Sequence, residues 1–584
     1  MSTRRIVRRQ VAADPGALPA GLHPVLRRVY AARGVGRADE LDVSLERMLP
    51  VGSLGGVDAA VELLCGCRRA GQRVLVVGDF DADGATSTAL VIRQLRRLGF
   101  DDPRFLVPDR FRFGYGLTPE IVRVAAASDP HLIVTVDNGV SSLEGVAEAR
   151  RLGIEVLVTD HHLPGPALPD AAAIVNPNLP GERFASKALA GVGVAFYLMA
   201  ALTHRLRERG ELPAGAGTNP ADLLDLVALG TVADVVPLDF NNRVLVSQGL
   251  RRIRAGRCTP GLQALLEVAG RRLEGVIAQD LGFQVGPRLN AAGRLEDMTL
   301  GVECLLEGDL TAARGIAARL AAINVERRDI EARMQGEALE QVESLLASLE
   351  GELPAGVCLQ DEGWHQGVIG LVASRVKERL QRPVIAFAPA GDGWLKGSAR
   401  SVPGLHVRDV LDSVAAHHPG LLEKFGGHAM AAGMTLRADC FEAFREAFAS
   451  EVARVAGDDV LSGDLYTDGP LEAGEFNADT AVALREGGPW GSGFAEPCFD
   501  GRFGVLGTRV VGGRHLKMRL RSASGEEVDA IAFRYLDDPR APAVRPDDVL
   551  TLAYRAGLDD YGGARRLQLV AEWLAPPGDG ARVP

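Results

Sequence analysis

Val74-Leu75-Val76-Val77-Gly78-Asp79-Phe80-Asp81-Ala82-Asp83-Gly84 is the most informative segment of this 584-residue chain. An apolar run leads into three closely spaced carboxylates, and a helix-like run, 85–98, follows. The pattern predicts a strand, a tight loop and a helix, which together open a parallel α/β unit. Because like charges at a strand end repel one another, we expect a positive partner among them, either a metal ion or a set of arginines.

Polar residues follow three further apolar runs. The run 132–136 leads into Asp137-Asn138-Gly139, the run 155–159 leads into Asp160-His161-His162, and Asp234 follows the run 223–232. In open parallel sheets the ligand crevice lies beyond the carboxyl ends of the strands. Each residue alone could be a helix cap or a turn residue. Four such places in register with strand ends favour a shared functional site in a doubly wound sheet.

The length and the pattern of breakers predict about three or four domains. Strands and helices alternate between residues 73 and 234, whereas 310–349 is almost free of glycine and proline and predicts one long helix or two. The tail carries short β segments that fit a small OB-like barrel or a plain β capping domain. The predicted boundaries are 1–48 for an N-terminal extension, 49–300 for the first α/β domain, 301–350 for the long linking helix, 351–458 for a second α/β domain, 459–575 for the barrel and 576–584 for a disordered tail.

Bulk composition excludes some classes of protein. The net charge of −11 argues against non-specific coating of duplex DNA, although it leaves room for a locally basic channel. No apolar stretch reaches the roughly 18 residues that a membrane span needs. The basic start of the chain lacks the apolar core of a signal peptide. The 7 cysteines are scattered and odd in number, which predicts reduced thiols in a cytoplasmic protein.

Four glycine-rich segments are candidates for nucleic-acid contacts. A loop at 113–116 carries Tyr115 after Arg110, and its ring either stacks on a base or packs in a turn. The segment 284–294 offers groups that could bind phosphate or sugar oxygens. Two further glycine-rich stretches are expected to be loops in which backbone N–H groups and an arginine meet an anion. The candidates in these last segments are Arg288, Asn290, Arg294, Ser398, Arg400 and His428.

Taken together, these motifs resemble the DHH phosphoesterase superfamily and, within it, the bacterial RecJ single-strand-specific exonucleases. Asp160-His161-His162 is the triplet that names the superfamily, and 79–84, 135–139 and 230–238 resemble its other core motifs. The stretch 426–433 resembles the DHH-associated domain. Val77 lies where some smaller relatives carry a histidine, which favours the exonuclease group. The resemblance covers about residues 50–575 and implies a DHH domain, a DHH-associated domain and a C-terminal OB-fold.

The resemblance implies two divalent ions. Oxygen ligands with one imidazole favour Mn²⁺ or Mg²⁺ over zinc or copper. Asp137 would bridge the ions, and Asp79 would be either a ligand or a carboxylate that lies just outside the set of ligands. His162 would stabilise the charge on the scissile phosphate or donate a proton, and Asp160 and Asn138 would support the ligands. The implied ligands are Asp79, Asp81, Asp83, Asp137, His161 and Asp234, and the catalytic candidates are His162, Asp81, Asp137 and His161.

The implied activity is 5′-to-3′ degradation of single-stranded DNA to mononucleotides, in DNA repair and recombination. Ser398, Arg400 and Arg110 would hold a 5′-phosphate, and Tyr115 would stack on a base. Arg288, Asn290, Arg294 and His428 would line the path of the strand through a channel too narrow for a duplex.

Two alternatives are a phosphodiesterase of short oligonucleotides or cyclic dinucleotides and a replication scaffold without ligands. The expected partners are single-stranded DNA, a single-strand-binding protein and a helicase. We expect a monomer with no membrane association.

Overall fold

The computed structural model describes residues 5–110, 112–212, 218–348, 354–456, 463–537, 541–559 and 565–575. The predicted tail at 576–584 lies outside the described residues. The chain divides into two compact units. The catalytic unit, as we name it here, comprises Gln10–Asn324 and Asp479–Pro497, and the barrel unit comprises Met1–Arg9, Val325–Ala478 and Cys498–Pro584.

Among the described residues, no single helix is long and apolar enough to cross a membrane, although the bent pair Leu45–Ser53 and Val57–Arg69 meets that test by length and composition.

The described helices are numbered in chain order. The α-helices are α1 (Pro24–Ala32), α2 (Val57–Arg69), α3 (Ala82–Arg97), α4 (Pro119–Ala126), α5 (Leu143–Arg151), α6 (Gly191–Glu208), α7 (Leu224–Ala233), α8 (Phe240–Arg254), α9 (Pro260–Val268), α10 (Ala278–Asp280), α11 (Gly286–Leu295), α12 (Thr299–Leu306), α13 (Leu310–Ser348), α14 (Ile369–Leu380), α15 (Val407–His417), α16 (Phe441–Val455) and α17 (Ala478–Glu486).

The described strands form two open sheets, a closed barrel and one short pair. The strands are β1 (Ile6–Arg8), β2 (Val74–Gly78), β3 (Arg104–Leu106), β4 (Leu132–Val136), β5 (Glu155–Thr159), β6 (Ala173–Val175), β7 (Val357–Gln360), β8 (Val384–Pro389), β9 (Trp394–Arg400), β10 (Lys424–Gly427), β11 (Ala431–Arg437), β12 (Leu465–Thr467), β13 (Phe499–Val511), β14 (His515–Ser522), β15 (Glu527–Ala532), β16 (Val549–Asp559) and β17 (Arg566–Ala575).

The sheet of the catalytic unit has the strand order β3-β2-β4-β5-β6, and all its pairs are parallel. The chain moves from β2 outward to β3 and then returns to add β4, β5 and β6 on the other side. The order therefore reverses between β2 and β4, and in such sheets a ligand crevice opens at that switch point. The predicted doubly wound parallel sheet is confirmed, and its crevice lies where Asp79 and Asp137 leave their strands.

Helices cover both faces of this sheet, as continuous apolar strands require. On one face Leu75 and Ile133 pack in a buried core with Ile121 of α4 and Val146 of α5. On the other face α3 packs against β2 and α6 packs against β4 and β5. Both faces are buried, so the strands carry apolar residues without alternation, and only their ends are free to carry polar chemistry.

The fourth acid, Asp234, does not follow a strand. The apolar run before it forms α7, which is buried along most of its length, and Asp234 is the residue that caps the end of this helix. A helix that is buried all round carries no polar face, so its sequence shows little helical periodicity. The expectation that all four polar clusters lie at strand ends is therefore wrong for Asp234, which approaches the cluster from a helix C-terminus.

In the barrel unit, the first sheet is mixed. Its order is β10-β11-β9-β8-β7, and of its pairs only β7 with β8 is parallel. The glycine-rich stretches at 397–401 and 426–433, which we expected to be loops, mostly form the strands β9, β10 and β11. Gly397 has a packing role, because a Cβ there would lie 2.3 Å from Cε1 of Phe387.

The C-terminal strands close into a five-stranded barrel of order β13-β14-β15-β17-β16, as predicted. The long helix is also as predicted, because α13 runs without interruption through Leu310–Ser348. Sequence analysis missed β1, which pairs in parallel with β12. Next to this pair, the buried Asp500 accepts hydrogen bonds from Arg8 Nη2 at 2.7 Å and from Thr467 Oγ1 at 2.6 Å.

We predict that Asp500→Ala loosens the attachment of the N-terminal strand. Removing the carboxylate leaves the Arg8 guanidinium and the buried Thr467 hydroxyl without their acceptor, which should cost about 2 kcal/mol. Arg519→Gln is the matched control, because it removes only an exposed, solvent-screened ion pair to Glu527. Hydrogen exchange of the β12 and β13 amides should accelerate in Asp500→Ala and not in Arg519→Gln, and equal exchange in both would contradict the role of Asp500.

Candidate metal centre

Acidic and imidazole side chains from distant parts of the catalytic unit meet at the switch point. Three overlapping groups each have ligand atoms within 4.8 Å of one another. The groups are Asp79, Asp81 and Asp137; Asp137, His161 and His162; and Asp83, His161 and Asp234. All six predicted metal ligands therefore belong to one cluster, which we call the metal centre.

His161 lies between two carboxylates. Its Nε2 is 3.1 Å from Oδ1 of Asp137 and 3.5 Å from Oδ2 of Asp234. Both of these carboxylate oxygens are buried and accept no hydrogen bond from the described residues. Asp137 has φ +62°, and its backbone N–H is held by the Thr159 carbonyl at 3.0 Å, so the turn after β4 aims the side chain inward.

The carboxylates of the metal centre destabilise one another's charged forms. Burial and then the charge of Asp81 raise the pKa of Asp79 well above its usual value, and burial and the charge of Asp83 do the same for Asp137. Burial and the charge of Asp234 raise the pKa of Asp83. The pKa of Asp234 rises to about 7, from burial and from the charge of Asp81. Such shifts, which arise from burial and from neighbouring like charges, cluster at functional sites.

Backbone N–H groups orient two of the acids. Asp81 caps α3, because its Oδ1 accepts hydrogen bonds from the N–H groups of Asp83 at 2.9 Å and Gly84 at 3.0 Å. Asp83 accepts hydrogen bonds from the first turn of α6, at 2.6 Å from Gly191 and 2.9 Å from Val192. The helix N-terminus stabilises the carboxylate and also fixes its direction.

Glycines bring the surrounding helices within contact of these acids. A Cβ at Gly191 would lie 2.6 Å from Cβ of Asp137, and one at Gly230 would lie 2.8 Å from Oδ1 of Asp83. A Cβ at Gly84 would lie 2.4 Å from the Asp79 carbonyl oxygen. The helices α6 and α7 can therefore approach the acids only because these positions carry no side chain.

The residues present fit hard divalent cations. The donor set is carboxylate oxygen with one imidazole nitrogen, which suits Mn²⁺ and Mg²⁺. Buried oxygens without hydrogen bonds on Asp137 and Asp234 have no other compensation for their burial. Asp79, Asp81, Asp83, Asp137, His161 and Asp234 can together hold such ions.

His162 belongs to a different hydrogen-bond system from His161. Its Nδ1 lies 2.8 Å from Oδ1 of Asp160 and 3.0 Å from the Tyr115 hydroxyl. Burial lowers the pKa of His162, but the hydrogen bond and charge of Asp160 outweigh burial and raise it to about 9. Asp160 also accepts the N–H of Val140 at 2.9 Å. The ring is therefore a positively charged hydrogen-bond donor whose orientation is fixed by Asp160.

Tyr115 and Arg110 lie at the edge of the metal centre. The ring of Tyr115 is 49% exposed, and its hydroxyl lies 3.3 Å from the Asp137 carbonyl oxygen, to which it can donate. The guanidinium of Arg110 lies 4.4 Å from the ring centre of Phe80. Burial lowers the pKa of Arg110, whereas the charges of Asp79 and Asp81 raise it by less. Both side chains therefore lie beside the acids of the metal centre.

The helix α11 braces the metal-binding loop. Oδ1 of Asn290 accepts the Ala82 N–H at 2.7 Å, and a Cβ at Gly293 would lie 1.9 Å from the Phe80 carbonyl oxygen. Asn290 therefore positions the loop, and its expected contact with DNA stays a prediction. Arg288 donates to the Gln284 carbonyl, and Arg294 lies in the last turn of the same helix.

Two exposed apolar residues beside the metal centre escaped sequence analysis. Val235 follows Asp234 and is 67% exposed, and Phe283 is 70% exposed in a π-helical turn, Leu281–Val285. That turn packs on the end of α7, where a Cβ at Gly282 would lie 3.1 Å from Val232. An exposed phenylalanine looks like a core phenylalanine in sequence, and no local pattern marks a π turn.

Ser398 and Arg400 form a second polar cluster, which lies in the barrel unit. They point to the same face of β9, and Nη1 of Arg400 donates to Oγ of Ser398 at 3.0 Å. The first turn of α14 lies against them, because a Cβ at Gly370 would be 2.7 Å from Nη2 of Arg400 and 2.9 Å from Oγ of Ser398. His428 is exposed in the turn between β10 and β11. The cluster combines a helix N-terminus, a hydroxyl and a guanidinium.

Comparisons with known proteins match this architecture along the chain. The model of the DHH family N-terminal domain matches residues 73–231, the DHHA1 domain matches 351–454 and the RecJ OB domain matches 467–572.

Solved structures and curated proteins agree with these matches. A crystal structure of RecJ with Mn²⁺ from Thermus thermophilus is similar with TM-score 0.79 and 32% identity, over 95% of this chain and 76% of that one. Its Mg²⁺ counterpart has TM-score 0.72, 30% identity and coverage of 95% and 75%. The single-stranded-DNA-specific exonuclease RecJ of Salmonella typhimurium is 53% identical over 99% of this chain and 100% of its own length. The chain belongs to the RecJ family of single-stranded-DNA-specific exonucleases.

Proposed function

We propose that this protein is a metal-dependent exonuclease that degrades single-stranded DNA from the 5′ end to mononucleotides, in DNA repair and recombination. The observation that carries the proposal is the convergence of six acidic and imidazole side chains at the switch point of the sheet. Relatives similar over nearly the whole chain support the substrate. Support for Mn²⁺ or Mg²⁺ comes from the oxygen-rich donor set and from solved relatives that hold these ions.

Two bound ions would activate water and stabilise the leaving oxygen of an in-line displacement at phosphorus. Asp137 is suited to bridge them, because it belongs to two of the three ligand groups. His161 presents Nε2 between Asp137 and Asp234. Asp83 is oriented by α6, and Asp81 keeps its second oxygen available while its first caps α3.

His162 would act on the scissile phosphate. A ring whose pKa is raised to about 9 is protonated at neutral pH and can donate to the developing negative charge. Asp160 holds the ring at Nδ1 and so fixes its orientation toward the substrate that we propose. The Tyr115 hydroxyl, tied to the same ring, keeps the exposed face of Tyr115 beside the phosphate, where it can stack on a base.

The metal centre alone gives no polarity, so an end-recognising pocket is needed. Ser398, Arg400 and the N-terminus of α14 supply the chemistry for a terminal phosphate dianion, because guanidinium and backbone N–H groups favour such anions. Arg110 of the catalytic unit is a further candidate. Arg288, Arg294, His428 and the exposed Phe283 are candidates for contacts along the strand.

We also propose single-strand-binding protein and a helicase as partners, and action as a monomer in the cytoplasm. Support for the compartment comes from the cysteines, because all 7 are free thiols and none is paired in a disulfide.

We predict that His161→Ala lowers exonuclease turnover by at least about 100-fold, because it removes the ligand between Asp137 and Asp234. The matched control is His204→Ala, whose side chain is 74% exposed on α6. Release of nucleotides from a long 5′-labelled strand should be abolished by a chelator, restored by Mn²⁺ and unaffected in His204→Ala. Folded His161→Ala with near-normal turnover would refute the ligand assignment.

We predict that Arg400→Gln removes the preference for a 5′-phosphate. Loss of a charge-assisted contact to phosphate should reduce kcat/KM on 5′-phosphorylated strands about 10- to 100-fold and leave 5′-hydroxyl strands nearly unchanged. Arg379→Gln on α14 is the control, since this arginine lies 3.9 Å from Glu343 and outside the cluster.

Strands labelled at either end, together with a dinucleotide, report the polarity and the minimum length. Equal loss of activity on both kinds of 5′ end would place Arg400 outside the pocket. Faster cleavage of the dinucleotide than of the long strand would favour the phosphodiesterase of short oligonucleotides.

A further inference from the structure

A cavity of about 280 Å³ in the catalytic unit is rich in arginine and shares no lining residue with the metal centre. Its walls come from residues 30–43, from α8, from residues 277–279, and from the end of α17 with the segment that follows it. Four arginines and two glutamates line it, so its formal charge is +2: Arg243, Arg251, Arg254, Arg485, Glu40 and Glu486. We call this space the arginine cavity.

Arg243 is held by aromatic rings and not by a carboxylate. Its guanidinium carbon lies 4.2 Å from the ring centre of Phe494 and 5.6 Å from that of Phe240. Its Nε is buried and has no hydrogen-bond partner among the described residues. A stacked guanidinium keeps a fixed orientation. Arg243 therefore supplies one positive wall of the cavity.

Arg254 and Arg485 form a second positive wall. Nε of Arg254 donates to the Val276 carbonyl at 2.8 Å, and Nη2 of Arg485 donates to the adjacent Gly275 carbonyl at 2.6 Å. Neutral carbonyls orient the two guanidinium groups without cancelling their charge. Burial and then the charge of Arg485 lower the pKa of Arg254. An anion between the two would relieve this repulsion.

The acids nearest to these arginines have other partners. Oε2 of Glu40 accepts the N–H groups of Gly36 at 2.9 Å and Arg37 at 3.1 Å. Asp280, at the end of α10, lies 3.0 Å from Arg271. Glu486 remains as the other acid that faces the cavity. The protein therefore leaves an excess of positive donors around this cavity.

We propose that the arginine cavity binds a nucleotide, with its phosphate between Arg254 and Arg485. A phosphate accepts more hydrogen bonds than a carboxylate and matches several guanidinium groups at once. Apolar side chains, including Leu41 and Pro489, complete the walls and suit the body of a nucleoside. The volume is close to the lower limit for small-ligand pockets, which fits one nucleotide unit. The same chemistry could come from a free nucleotide or from one residue of a bound strand.

The test uses the full chain carrying Arg400→Gln, in a chelator, so that neither the proposed 5′-phosphate pocket nor metal ions contribute. Isothermal titration with thymidine 5′-monophosphate should show one binding event per chain, and thymidine should bind at least about tenfold more weakly. Arg254→Gln with Arg485→Gln should weaken binding at least about tenfold. Arg272→Gln, whose side chain is 89% exposed, should leave it unchanged.

A further variant and a competition experiment complete the test. If the double variant unfolds, Arg251→Glu at the exposed rim should still weaken binding, because it reverses one charge of the cavity. Competition with an oligothymidylate identifies a strand as the source, whereas binding of the monophosphate alone identifies a free nucleotide. Thymidine monophosphate binding that is unaffected by Arg251→Glu and by the double variant would overturn the proposal, as would capture of an acidic peptide in place of nucleotides.

Discussion

Mutual repulsion among carboxylates at the switch point is the constraint on which the rest of this structure depends. Ligand atoms of Asp79, Asp81 and Asp137 lie within 4.8 Å of one another. With an effective dielectric constant of 20, each such pair of charges costs about 3–4 kcal/mol at that distance. A few such pairs approach the whole stability of a typical domain, roughly 5–15 kcal/mol. The fold must therefore hold these groups together until divalent ions compensate them.

The backbone holds these carboxylates together. The N-terminus of α6 donates to Asp83, the turn after β4 aims Asp137 inward, and α11 supports the loop through Asn290. Glycines allow the helices to approach this closely, because a Cβ at Gly191 or at Gly293 would collide with the neighbouring residues. The ligands are thus positioned by rigid elements before any ion binds, which is the preorganisation that metal-assisted phosphoryl transfer requires.

Much of this arrangement was predictable, because strand periodicity and the polar residues after β2, β4 and β5 carry direct information about a parallel sheet. Other features depend on contacts between distant residues, which sequence patterns do not encode. Buried α7 lacks a polar face, so Asp234 was placed at a strand end when it caps a helix. Gly397, next to Ser398, suggested a loop, but it lies in β9 and makes room for the ring of Phe387. Arg243 gave no local signal, because its significance lies in the rings of Phe240 and Phe494 around it.

The central claim is that the clustered carboxylates and His161 form one site for two divalent ions. Titration of the full chain with Mn²⁺, followed by electron paramagnetic resonance, counts bound ions and detects coupling between them. The account predicts two spin-coupled ions per chain, and at least one fewer in Asp137→Asn, because Asp137 is the proposed bridge. Two uncoupled ions, or full and coupled binding that survives loss of the Asp137 carboxylate, would contradict it.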